Sequence, residues 1–271
     1  MMNIRNFYIV GIVLLSLGLL YEWSSEKRDA SIQKQLDLAL EEASGNKDGV
    51  VSIQSDELVL KIAVNTGAII ETRLKEYPVE NIQGSLGFRV FGRSLDSSFN
   101  YYFKSGFTGV SPNFVISSMG DDYVVLVDEK LKITKTVSFL SSPYEVSIYD
   151  KSNTGVDGKS FAGLYRTEGR SLDLKTDALS GGMMNNSSFE GVAISTESDP
   201  YETTRLRSVD EPIEVLSRSG WVAFIQKYFF AAILGSDEHI YNYYVLPKES
   251  GFFRMGYTVE GAATNNKVFW S

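Results

Sequence analysis

From Val50 onward the apolar residues recur at every second position, and that period leaves few folds open. Leu58, Leu60, Ile62 and Val64 alternate with Val59, Lys61 and Ala63. Leu131, Ile133, Val137 and Phe139 alternate with Lys132, Thr134, Thr136 and Ser138. The same rhythm runs through Tyr144, Val146 and Ile148, and through Phe253, Met255, Tyr257 and Val259. Successive side chains of a strand point to opposite faces, so each run predicts a strand with one face buried. Turn-forming clusters separate the runs: Asn65-Thr66-Gly67, Asp128-Glu129, Asn153-Thr154-Gly155, Asp157-Gly158 and Lys248-Glu249-Ser250-Gly251. No sustained β-α-β alternation appears. Residues 50–271 therefore read as one mainly β domain, a large antiparallel sandwich with few helices.

Before Val50 the pattern is different. No charge falls between Asn6 and Tyr21. As a helix that stretch spans roughly 24 Å, and Ile4 and Trp23 bring it close to a ~30 Å hydrocarbon core. Residues 1–23 thus read as a transmembrane anchor built on Phe7, Val10, Leu14, Leu17, Leu20 and Trp23, with Tyr21 and Trp23 at interfacial depth. The region after it, Glu22 to Arg28, offers no small-residue cleavage pattern, which favours an uncleaved anchor over a cleaved signal or a buried helix. Arg5 and the amino terminus precede the segment, while Glu22, Glu26 and Asp29 offset Lys27 and Arg28 behind it. That bias places the N-terminus in the cytoplasm and the rest outside the inner membrane, in a single pass. Residues 24–49 read as a partly helical or mobile linker, with Ile32, Leu36, Leu40 and Ala43 at helical spacing.

The net charge of -8 argues against nucleic acid and against a surface made to lie on anionic lipid. Cysteine is absent, so no disulfide or thiolate metal site is available, and the domain depends on its core alone. His239 is the one histidine. No G-x-S-x-G elbow accompanies it, and Gly158-Lys159-Ser160 lacks the first glycine of a phosphate loop. Asp150, Ser152, Thr154 and Gly155 faintly follow a calcium loop, but Phe161 stands where the closing Glu belongs, so a hairpin connection is expected there. Acidic pairs such as Asp121-Asp122 and Asp128-Glu129 are expected in solvated turns. The N-x-S spacings at Asn185 and Asn186 read as incidental. No catalytic, cofactor or metal site is expected.

The densest apolar run outside the anchor is Gly220 to Leu234, interrupted by Gln226 and Lys227. It is too short and too polar at its middle to span a membrane. It predicts a buried segment, with a short helical turn near Trp221 and a strand from Tyr228 to Leu234.

Gly220-Trp221-Val222-Ala223, Gln226, Tyr228-Phe229 and Ala232 resemble the signature of the periplasmic domain of YidC-type membrane protein insertases. Further segments resemble that family in the same order. They are Met2 to Asn6 with the apolar run and Trp23, Asn65 to Ile70 with Leu74 and Tyr77-Pro78, and Phe189 to Ala193 with Tyr201-Glu202. The resemblance implies an antiparallel β-supersandwich similar to mutarotase-like domains, carried by one N-terminal transmembrane helix. It implies packing roles for Gly220, Trp221, Gln226, Tyr228 and Phe229. It also implies a non-enzymatic role in inserting and folding nascent membrane proteins at the bacterial inner membrane, with Sec translocon accessory subunits as partners. The chain finishes at Lys267 to Ser271, about where the last strand of such a domain would end, so the helical insertion bundle is expected to be missing from it. Two alternatives stay open. A stand-alone anchored binding or chaperone module would show an exposed apolar patch. A mutarotase-like sugar enzyme would place Glu238 and His239 in a deep polar pocket.

Overall fold

The computed structural model describes residues 49–78, 87–93, 99–154, 159–168, 189–226, 229–236, 238–248, 252–261 and 263–270. These residues form two nine-stranded sheets in which every pairing is antiparallel. In spatial order the first sheet holds β1 (Val50–Gln54), β2 (Leu58–Ala63), β3 (Ala68–Pro78), β4 (Gly87–Arg93) and β5 (Phe99–Phe107). It continues with β10 (Lys159–Glu168), β17 (Phe252–Glu260), β16 (Tyr241–Lys248) and β13 (Ile213–Ser217). The second sheet holds β12 (Glu202–Arg205), β11 (Glu190–Ser195), β14 (Trp221–Gln226), β15 (Phe229–Leu234) and β18 (Ala263–Trp270). It ends with β9 (Glu145–Ser152), β8 (Ile133–Phe139), β7 (Tyr123–Asp128) and β6 (Val115–Met119).

The two-residue period does what it predicts. On β2, Leu58, Leu60 and Ile62 are fully buried; on β17, Met255, Tyr257 and Val259 are buried. Alternate residues of both sheets meet in a single core that joins Phe103, Leu164 and Tyr243 of the first sheet to Val137, Ile148, Phe224 and Trp270 of the second. Burying a large apolar side chain contributes on the order of 1.5–3 kcal/mol, so side chains in this number give the domain its stability. Aromatic contacts cross the interface. Tyr101 meets Phe224 edge-on at 5.3 Å, and Phe88 stacks on Phe229 at 4.1 Å.

Asn65-Thr66-Gly67 is the expected turn, joining β2 to β3. Gly67 has φ +66°, and a Cβ there would stand 2.6 Å from the Lys135 side chain, so both backbone and space require glycine.

Three expectations are corrected. No helical turn forms near Trp221; that residue opens β14 and pairs with Ser195 on one side and Leu234 on the other. A helix there would strip hydrogen bonds from two ladders, and the short 3-10 turn Leu206–Ser208 is the one helical element among the described residues. The described part of the second strand of the run, Phe229–Leu234, lies where the strand is expected; Tyr228 lies outside the described residues. Asp128 is buried at the end of β7, where its carboxylate accepts from the backbone N–H of Asn113 at 2.8 Å and of Leu131 at 2.9 Å. The bonds from Leu131 and Asn113 hold that carboxyl below its ordinary value. Asp150 and Ser152 belong to β9 and face inward, not to a hairpin connection.

Candidate interaction surfaces

The chemistry-bearing side chains fall into two groups, one inside the sandwich and one on its surface. Inside, β8 places Lys135 in the inward series between Ile133 and Val137, and the paired β9 places Asp150 directly opposite. Lys135 Nζ lies 2.6 Å from Asp150 Oδ1. It also donates to Ser105 Oγ at 2.7 Å, and Ser105, on β5 of the facing sheet, donates to Asp150 Oδ2. Asn266 of β18 donates to the Ile148 carbonyl at 3.2 Å and to Asp150 at 3.3 Å. The Tyr257 hydroxyl of β17 donates to the Asn266 carbonyl oxygen. Two of these five side chains, Ser105 and Tyr257, come from the first sheet, and three come from the second.

A serine beside a lysine is an arrangement that can activate a nucleophile. Here Lys135 is 1% exposed, Ser105 4% and Asp150 0%, so no substrate reaches them. Burial pushes the Lys135 ammonium below the ordinary lysine value, and the Asp150 charge opposes that. The cluster is a cross-sheet clamp. The sequence does not reveal it, because the Asp150-to-Gly155 pattern points to a turn, although Lys135 in an otherwise apolar series is a visible sign.

On the surface, the connection from β15 to β16 borders a polar pocket of about 520 Å³. Glu238, His239, Ser236, Tyr149 and Asn265 line it, with Glu145 and Lys267 facing each other at 3.6 Å. His239 is exposed, with its ring against Tyr241 at 6.4 Å. Among the described residues no hydrogen bond or ion pair orients His239 toward Glu238 or another carboxylate, as acid–base catalysis requires. The outer face of the first sheet carries Arg254 over Tyr165 and Tyr244, both at 5.2 Å, with its Nε donating to the Tyr244 hydroxyl. Tyr244 and Tyr102 of this patch are buried, so it is closed packing.

Among the described residues β6, the last strand of the second sheet, is an open feature. All five of its residues are exposed, including Val115, Ile116 and Met119 at 58%, 44% and 51%. It pairs with β7 and carries no charge. No backbone hydrogen bond outside that ladder reaches it among the described residues.

The expected family-signature residues gather around β14 and β15. Gly220 has φ +133°, and a Cβ there would stand 2.0 Å from the Ser195 carbonyl oxygen. The Gly220 carbonyl accepts from the Tyr243 hydroxyl at 2.9 Å, tying the β14 entry to the facing sheet. Trp221 is half-buried against Tyr201, and Phe229 lies on Phe88. Gln226 ends β14; its side chain and all of Tyr228 lie outside the described residues. So do the anchor residues Phe7, Val10, Leu14, Leu17, Leu20 and Trp23, and the linker up to Asp48.

The family model described as the YidC periplasmic domain matches residues 50–266. The membrane protein insertase YidC of Pseudoalteromonas translucida is 26% identical over 93% of this chain and 52% of its own length. That of Hahella chejuensis is 27% identical over 80% of this chain and 42% of its own length. The chain thus spans about half the length of the curated relatives it matches. Among solved structures, a galactose mutarotase-like protein from Lactobacillus casei aligns over 82% of this chain with a TM-score of 0.45 and 10% identity.

Proposed function

The chain belongs to the YidC periplasmic domain family, and from that membership we propose that it is part of a membrane protein insertase of the bacterial inner membrane. The family match over residues 50–266 carries this reading. Residues 1–23 anchor the chain in a single pass with the N-terminus in the cytoplasm, residues 24–49 tether, and residues 50–271 form the periplasmic domain. Nascent membrane proteins are the clients, and Sec translocon accessory subunits are further partners. No step of bond chemistry is required. An apolar client segment leaves water for lipid with a favourable transfer free energy, and the protein supplies a path and holds the client meanwhile. A non-enzymatic role fits a serine–lysine pair sealed in the core and a histidine that, among the described residues, no carboxylate orients. Gly220, Trp221, Gln226, Tyr228 and Phe229 serve packing. The test is depletion of the protein in its own cells while following a single-span reporter. The reporter should remain protease-accessible and uninserted; unchanged insertion would overturn the proposal.

A stand-alone anchored binding module is the second reading, favoured by the exposed apolar residues of β6. It requires reporter insertion to survive depletion while a client-type peptide still binds the domain.

A further inference from the structure

We propose that the pocket beside the β15–β16 connection binds a neutral saccharide without acting on it. The proposal does not depend on the insertase reading; it rests on the groups that line the pocket.

Two paired strands supply the floor. β9 turns Glu145, Ser147 and Tyr149 to the outer face of the second sheet, and β18 turns Asn265 and Lys267 to the same face. The intervening Val146, Ile148, Asn266 and Val268 point into the core. The wall is the connection itself, and it is held in place. The Gly235 N–H donates to the Gly220 carbonyl at 3.0 Å, and the Ser236 N–H donates to the Tyr241 hydroxyl at 3.0 Å. A Cβ at Gly235 would stand 2.2 Å from the Tyr243 hydroxyl, so only glycine lets the wall lie this close. The pocket is therefore built by the fold before a ligand arrives. Its volume of about 520 Å³ falls within the ~300–1,000 Å³ of small-molecule sites.

The polar groups at this floor are largely unspent. The Glu145 side chain is 19% exposed, yet Lys267 approaches it only to 3.6 Å, and among the described residues no hydrogen bond reaches its carboxylate. The Ser147 hydroxyl donates to the Asn265 carbonyl oxygen at 2.7 Å, which fixes that amide and leaves its NH2 to donate. Among the described residues the Glu238 carboxylate and the Tyr149 hydroxyl also make no hydrogen bond.

That mixture selects the ligand. An anion meets two carboxylates, and a cation meets Lys267. An apolar molecule would strip water from all of them and return no hydrogen bond. Hydroxyls on neighbouring carbons each donate and accept, so one pair can serve Glu145 and Lys267 side by side. Tyr149, 38% exposed, offers an apolar ring with a polar tip to the C–H face of a sugar ring.

The experiment is calorimetric titration of the 271-residue chain, held in phosphatidylcholine nanodiscs, with chitotetraose, cellotetraose and maltotetraose to millimolar concentration. At least one should bind saturably. Glu145→Gln and Tyr149→Ala should each weaken it about tenfold, the size expected for a lost hydrogen bond to a charged group. Lys151→Ala, on the same strand but outside the pocket, should leave binding unchanged, and all three variants should melt with the wild type. No binding of any tetrasaccharide, binding that ignores both pocket variants, or equal weakening by Lys151→Ala would each overturn the proposal. An end-blocked serine–glycine peptide that binds with the same variant dependence would assign the pocket to polypeptide and overturn it too. Glucose binding as tightly as the tetrasaccharide would make the ligand a free sugar; weaker glucose binding would make it a glycan chain. Reporter insertion in depleted cells reads the insertase proposal separately, and either proposal can fail while the other stands.

Discussion

Lys135 and Met119 stand two strands apart in one sheet, and each inverts the usual rule of placement. Lys135 is a charged residue at 1% exposure; Met119 is an apolar residue at 51%. The two inversions differ in how they are resolved. Lys135 finds Asp150 at 2.6 Å and Ser105 at 2.7 Å, so its charge is satisfied within the molecule. Nothing described within the molecule covers Met119, Ile116 or Val115. A satisfied inversion speaks about how the fold is specified, because a polar cluster between two apolar faces fits in one register only. An unsatisfied inversion speaks about what the protein meets.

If that contrast is right, substitutions in the two places should differ sharply in stability. The largest effect belongs to Asp150→Asn or Lys135→Met, which leaves one buried charge without its partner and should cost about 3–5 kcal/mol. Urea denaturation of the chain measures it. Replacing both members of the pair by apolar residues should recover much of the loss; a single variant within ~0.5 kcal/mol of wild type would sink the clamp. Next comes Gly220→Ala. Its backbone lies at φ +133° and the added methyl meets the Ser195 carbonyl. About 1–3 kcal/mol of strain is expected, read in the same assay.

Asp128 sharpens the comparison through pH. Its carboxyl is held below the ordinary 3.8 by backbone N–H groups, so it protonates more readily in the unfolded chain than in the folded one. The stability it adds is present above that value and is lost as pH falls through the folded-state value. Asp128→Asn should therefore lower the melting temperature at pH 7, with the difference shrinking as pH drops below 3.8. A difference that grew on acidification would show the sign to be wrong. The smallest stability change is expected for Ile116→Lys/Met119→Lys, within about 0.5 kcal/mol, because exposed positions lose little packing. That near-silence would separate surface from core.

The sequence alone decided the class of fold. Alternation such as Leu58-Leu60-Ile62 fixes which face of a strand is buried, and turn clusters such as Asn65-Thr66-Gly67 fix where strands end, because both are local properties of the backbone. Ordered segments from Asn65 to Ala232 also carried the family resemblance that the match over residues 50–266 supports. The interaction sites were far less legible. Val115 and Ile116 read as any apolar pair; only the pairing order makes β6 an edge. The helical turn expected near Trp221 gave way to ladders with Ser195 and Leu234, partners 26 and 13 residues away in sequence. Lys135, Asp150, Ser105, Asn266 and Tyr257 are scattered over five strands, and nothing in their spacing brings them together. Burial and partnership depend on contacts remote in the chain, so only the tertiary structure decided which charge is locked inside and which apolar strand is left open.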